Sequence, residues 1–80
     1  MTKAIIIDDE HHSIETLLWK LENYTENVEI QATFTDPEKG MAYLKNNKID
    51  LLFLDIEMPV LNGFELLQKL KPINFDVIFT

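Results

Sequence analysis

The chain has 80 residues, room for one domain at most and short for an α/β one. Fourteen acids against seven bases leave a net charge of −7, which argues against sequence-independent nucleic-acid binding, because that needs Lys and Arg to neutralise phosphates. With no cysteine there is no disulfide or thiolate chemistry. The N-terminal apolar run is only four residues, too short for a signal peptide, and no run is long enough for a membrane-spanning helix, so a cytoplasmic protein is expected.

Lys3 to Asp8 reads as a first strand, β-branched and buried on both faces, followed by the acidic turn Asp8-Asp9-Glu10. From His12 the period changes. Ile14, Leu17, Leu18 and Leu21 recur at helical spacing, and the stretch from Glu22 to Asn27 closes that helix. Val28, Ile30, Ala32 and Phe34 then alternate with polar residues, the pattern of an edge strand with one face more exposed. Asp36-Pro37-Glu38 is a helix start: a capping carboxylate, proline at the first position, an acid in the first turn. Met41 and Leu44 supply its apolar face, Gly40 is a weak point or a close-packing site, and Asn46-Asn47 end it.

Ile49 to Asp55 is the central strand, with the apolar run Leu51 to Leu54 leading into Asp55. Pro59 and Gly63 shape the loop after it. Gly63 to Leu70 is a third helix, with Phe64, Leu67 and Leu70 expected on its inner side. Asp76 to Thr80 is a fourth strand. Strands alternating with helices through short connections imply a parallel sheet covered on both sides. Residues 1–80 form one unit with no visible linker. A fourth strand at the sheet edge is an association hazard, and the chain reads as the N-terminal fragment of a longer domain.

The first and third strands both end in acid. Adjacent parallel strands ending in Asp8-Asp9 and Asp55 bring three carboxylates to one crevice, where ligands of open α/β sheets bind. At about 5 Å and an effective dielectric of about 20, each like-charge pair costs about 3 kcal/mol. Such a cluster holds protons or a cation. Few hard oxygen ligands with positions open to water suit Mg²⁺, which normally also meets phosphate. A carboxylate can itself be the nucleophile and form an aspartyl phosphate. Thr80, at the end of the neighbouring strand, is placed to offer a hydroxyl hydrogen bond. His11-His12 reads as an exposed pair, since adjacent helical residues do not share a face, and neither is a candidate phosphohistidine. Trp19 reads as partial packing and Met58 as loop packing.

Asp8-Asp9 after the first strand, Asp55 followed by Met58-Pro59 and Gly63 after the third, and Thr80 closing the fourth together resemble the receiver domain of two-component response regulators. The resemblance implies a flavodoxin-like, CheY-like doubly wound parallel sheet, here with strand order 2-1-3-4 and no fifth strand. It implies that Asp55 accepts a phosphoryl group from a phosphohistidine on a sensor histidine kinase or phosphotransfer protein. It further implies that Asp9, Asp55 and the backbone carbonyl of Glu57 ligate Mg²⁺ directly, that Asp8 holds the ion through water, and that Thr80 moves toward the acyl phosphate. Such a domain is no enzyme toward an external substrate; it catalyses only its own phosphoryl transfer and dephosphorylation. The Glu57 side chain is expected to tune hydrolysis.

The family's fifth strand ends in a lysine that pairs with the phosphoryl group; no residue here matches it, since Lys69 and Lys71 belong to the preceding helix end. The runs from Ile5 to Glu10 and from Phe53 to Glu65 together are most similar to regulators with a LytTR-type output domain, so the whole protein is expected to bind DNA through a part outside this sequence. Three rivals are weighed. A non-switching, receiver-like interaction module differs in failing to take up phosphate. A haloacid-dehalogenase-type phosphatase needs a second Asp two residues after the nucleophile, where this chain has Glu57. A flavodoxin-like cofactor binder needs a Gly-, Ser- or Thr-rich loop after strand one, and Asp8-Asp9-Glu10 would repel phosphate.

Overall fold

A computed structural model describes residues 1–59 and 61–80. Its elements run β1 (Thr2–Ile7), α1 (His11–Tyr24), β2 (Val28–Phe34), α2 (Pro37–Asn46), β3 (Leu51–Leu54), α3 (Gly63–Leu70) and β4 (Asp76–Phe79). All strand pairs are parallel and the sheet order is β2-β1-β3-β4, the doubly wound arrangement expected. Boundaries differ from the expected ones by one or two residues. β1 stops before Asp8 and β3 begins at Leu51, yet Asp8, Asp50 and Asp55 still donate their N–H groups to neighbouring strands at 2.8–3.0 Å.

The alternation along β1 divides the core. Ala4 and Ile6 face one side with Phe53 of β3 and Ile14 of α1. Ile5 and Ile7 face the other with Leu52 and Leu54, against Met41 of α2 and Leu66 of α3. Both faces of β1 are therefore dry, which is why it reads as an unbroken apolar run. Burying each isoleucine side chain contributes about 2–3 kcal/mol.

Two expectations are corrected. The alternating apolar residues of β2 do not share one face. The register shifts between Ala4 and Ile5, pairing Ala4 with Ile30 but Ile5 with Ala32. This bulge skips Gln31, so Val28 and Ile30 pack toward α1 while Ala32 and Phe34 pack toward α2. On α3, Phe64 is 57% exposed and Leu66 is fully buried. The inward face is Gly63, Leu66, Leu67 and Leu70, which is also a helical repeat. Phe64 instead lies outside, its ring 5.0 Å from that of Phe79 on β4.

The helix starts are chemically explicit. Asp36 caps α2 by accepting from the Glu38 N–H at 2.9 Å. Asn62 caps α3 by accepting from the Glu65 N–H at 2.9 Å, and Glu65 reaches back to the Asn62 N–H. That reciprocal box satisfies two donors at once. Gly40 is a close-packing site: a Cβ there would lie 2.5 Å from the Ile7 Cδ1 atom, so its absence lets α2 settle onto β1.

Candidate functional site: an acidic crevice at the carboxyl edge of the sheet

Asp8 is the residue immediately after β1. Its N–H still donates to the Phe34 carbonyl at 3.0 Å, and its Oδ1 accepts from the Glu10 N–H at 2.9 Å, turning the chain toward α1. It is only 7% exposed, the sole buried charged residue among those described. Asp9, next in the turn, is exposed. Asp55 is the residue immediately after β3 and is held by its N–H on the Ile7 carbonyl at 3.0 Å. Its Oδ1 accepts from the Glu57 N–H at 3.1 Å, which fixes one carboxylate oxygen and the course of the loop.

Oxygen atoms of Asp8, Asp9 and Asp55 lie within 4.8 Å of one another. Desolvation raises the Asp9 carboxyl above the ordinary carboxylate range, and the Asp55 carboxylate beside it raises it further. Asp55 is also raised, first by desolvation, with Asp8 adding repulsion, while the Glu57 N–H pulls the other way. The cluster is thus short of positive charge.

The loop after β3 is braced from beneath. The Gly63 N–H donates to the Ile56 carbonyl at 2.9 Å, and a Cβ on Gly63 would lie 2.9 Å from the Asp55 carbonyl oxygen. No other residue permits that approach of α3 to the Asp55 backbone. Met58 is buried and packs into the α2/α3 side of the core, as expected, whereas Pro59 is exposed. Thr80, directly after β4, donates its N–H to the Leu54 carbonyl at 3.0 Å and borders the same crevice of about 650 Å³ as Asp8, Asp9, Asp55 and Glu57. Every expected polar site residue therefore meets at one strand-end crevice.

The far wall is a feature the sequence reading missed. His12, Thr16 and Lys20 of α1 line the crevice together with Ser13. Residues 12, 16 and 20 are spaced by four, so they form one row on the helix, a signal that was available. His11 points elsewhere, pairing with Glu15 at 2.9 Å on the outer face. Among the described residues no helix is long and apolar enough to cross a membrane.

With that geometry in place, comparison with known proteins is specific. The family model for the response regulator receiver domain matches residues 4–80. The chain is 35% identical over 69 residues to the transcriptional regulatory protein YpdB of Escherichia coli K12, covering 86% of this chain and 28% of that protein. It is 39% identical over 72 residues to the heme response regulator HssR of Staphylococcus haemolyticus, covering 89% of this chain and 30% of that one. It thus spans less than a third of the length of either relative. Its fold superposes on the crystal structure of the response regulatory domain of protein MrkE from Klebsiella pneumoniae with a TM-score of 0.83, at 32% identity, over 96% of this chain and 64% of that one. A CheX–CheY–BeF3–Mg²⁺ complex from Borrelia burgdorferi is similar with a TM-score of 0.79, at 26% identity, over 98% of this chain and 60% of the matched chain. The four-strand order, the strand-end acids and these matches agree: the chain belongs to the response regulator receiver domain family.

Proposed function

We propose that this receiver domain is a Mg²⁺-dependent phosphoacceptor in which Asp55 takes a phosphoryl group from a phosphohistidine on a sensor histidine kinase or phosphotransfer protein. The convergence of Asp8, Asp9 and Asp55 within 4.8 Å carries this reading. Three hard, mutually repelling oxygen donors open to solvent on one side fit a small divalent cation that keeps several waters. Asp9, Asp55 and the Glu57 carbonyl would hold the ion directly, and Asp8 would hold it through water. When bound, the ion neutralises charge on the transferring phosphoryl group.

The remaining work falls to the chain's own groups. The Glu57 N–H holds one Asp55 oxygen, leaving the other as nucleophile. That oxygen attacks phosphorus, the P–N bond breaks, and its electron pair returns to the imidazole nitrogen, which takes a proton from solvent. Thr80 offers its hydroxyl to a phosphoryl oxygen from the end of β4. Pro59 and Gly63 keep the loop on its course, and Glu57 sets access of hydrolytic water. The domain acts on no substrate beyond its own phosphoryl group. Its relatives YpdB and HssR bear the names of a transcriptional regulatory protein and a response regulator. On that basis we read the whole protein as a response regulator that acts on transcription.

Intact-protein mass after incubation with Mg²⁺ and a small-molecule phosphodonor tests the proposal. A gain of one phosphoryl group that is lost in Asp55→Asn supports it. Equal gain in the folded variant removes Asp55 as acceptor, and no gain in the folded wild type favours the interaction module.

A further inference from the structure

The start of α3 carries a reactive pair. Of the six asparagines in the chain, only Asn62 precedes a glycine. An asparagine loses its amide when the next backbone nitrogen attacks its Cγ, and a following glycine puts no Cβ in the way of that attack. Asn23, Asn27, Asn46, Asn47 and Asn74 precede tyrosine, valine, asparagine, lysine and phenylalanine, whose side chains crowd it. Asn62 is half-buried, so water reaches its side chain.

The fold restrains both reacting groups. Asn62 Oδ1 accepts from the Glu65 N–H at 2.9 Å, which turns the side chain along the start of the helix. The Gly63 N–H, whose nitrogen must lose its proton and attack, donates to the Ile56 carbonyl at 2.9 Å. Asn62 holds an extended ψ of 165°. Closing a five-membered ring swings the Gly63 nitrogen about that bond toward the Asn62 Cβ, which breaks the hydrogen bond to Ile56. Gly63 is wedged against the sheet, where an added Cβ would lie 2.9 Å from the Asp55 carbonyl oxygen and 3.2 Å from the Ile56 Cα. The attack therefore requires the first turn of α3 to leave its seat, a local opening.

We infer that Asn62 is a site of spontaneous modification gated by the docking of α3, and that its isoaspartyl product unseats α3 from the loop that carries Asp55. Hydroxide takes the Gly63 amide proton, the nitrogen bonds to the Asn62 Cγ, and the Cγ–Nδ2 bond breaks as Nδ2 takes a proton and leaves as ammonia. Water then opens the resulting succinimide at either carbonyl. Attack at Cγ restores the ordinary backbone with a carboxylate side chain. Attack at the other carbonyl leaves the backbone running through Cβ and Cγ, one atom longer. The first product keeps the cap, since an aspartate already serves that role on α2, where Asp36 accepts from the Glu38 N–H at 2.9 Å. The second displaces the acceptor for the Glu65 N–H and adds length where Gly63 has no room. None of this rests on the phosphoacceptor reading.

The chain is aged at mildly alkaline pH, folded and in concentrated urea, and each asparagine is followed by peptide mapping. In urea, residue 62 is expected to convert first, and Gly63→Ala to slow it. In the folded chain, conversion should be slower by a factor on the order of ten or more, and Leu66→Ala, which loosens α3, should recover most of that factor. Hydrogen exchange of the aged folded chain then reads the products separately, because their peptides separate on reversed-phase chromatography. Amides of α3 should exchange faster in the isoaspartyl form and at the parent rate in the aspartyl form and in an Asn62→Asp variant. Another asparagine converting first in urea, equal rates at residue 62 in folded and unfolded chains, or an isoaspartyl form that exchanges like the parent overturns the inference.

Discussion

Replacing Asp55 by Asn should make the metal-free domain more stable while removing its proposed chemistry. Asn keeps the shape of Asp and an oxygen to accept the Glu57 N–H, so the change isolates charge. At the 4.8 Å limit of the cluster, a like-charge pair costs about 3 kcal/mol at an effective dielectric of 20 and about 1 kcal/mol in bulk water. The pair with buried Asp8 lies toward the first figure and the pair with exposed Asp9 toward the second. After salt screening a net gain of about 2 kcal/mol is expected, or about 10 °C in Tm for a domain of this size. The pH dependence has a defined sign. Asp9 and Asp55 are both raised above 3.8, so in that region the native state holds more protons than the unfolded one. Stability of the metal-free wild type therefore falls as pH rises through the raised values, and the destabilisation is absent below 3.8. Thermal unfolding in EDTA at pH 7.5 and again near pH 4 measures this. The advantage of Asn should be large at pH 7.5, shrink near pH 4, and narrow when Mg²⁺ is added. An Asn variant no more stable than wild type at pH 7.5, or a gap independent of pH, would refute the repulsion on which the metal reading rests.

Three further outcomes follow from the packing. Leu66→Ala, at a fully buried position between α3 and the sheet, should cost about 2–5 kcal/mol in urea unfolding; a loss below 1 kcal/mol would mean that α3 is not docked as described. Gly63→Ala places a Cβ against the Asp55 carbonyl oxygen, and forcing that backbone apart should cost about 1–3 kcal/mol and weaken Mg²⁺ affinity, read by calorimetric titration. Unchanged affinity would separate the α3 approach from the site. Ile78 and Phe79 are 48% and 38% exposed on edge strand β4, so sedimentation should reveal self-association that Ile78→Lys suppresses. A wild type that stays monomeric at high concentration would count against it.

The sheet and the acids were legible because each rests on an uncompensated pattern. Ile5, Ile6 and Ile7, and Leu52, Phe53 and Leu54, are apolar on both faces, which only an interior parallel strand explains, and each run ends in acid where the backbone leaves the sheet. The rest depended on tertiary context. The inner row of α3 was obscured because its first member, Gly63, has no side chain to register as apolar, so Phe64 took its place in the repeat. The bulge opposite Ala4 and Ile5 leaves the period-two pattern of β2 unbroken while changing which face each residue meets, and only the pairing with β1 reveals it. The row His12, Thr16, Lys20 is polar at helical spacing, the usual appearance of a solvated face. It becomes a wall of the crevice only because α1 starts three residues after Asp8. The box between Asn62 and Glu65 was visible as a spacing and was overlooked beside Pro59 and Gly63.

The most direct test of the central claim is the position of the phosphoryl group. The chain is phosphorylated in Mg²⁺, reduced with borohydride, which converts an acyl phosphate to the corresponding alcohol, and mapped by tandem mass spectrometry. The account predicts homoserine at residue 55 alone, absent when EDTA replaces Mg²⁺. Label at Asp8 or Asp9, on a histidine, or undiminished in EDTA would contradict it.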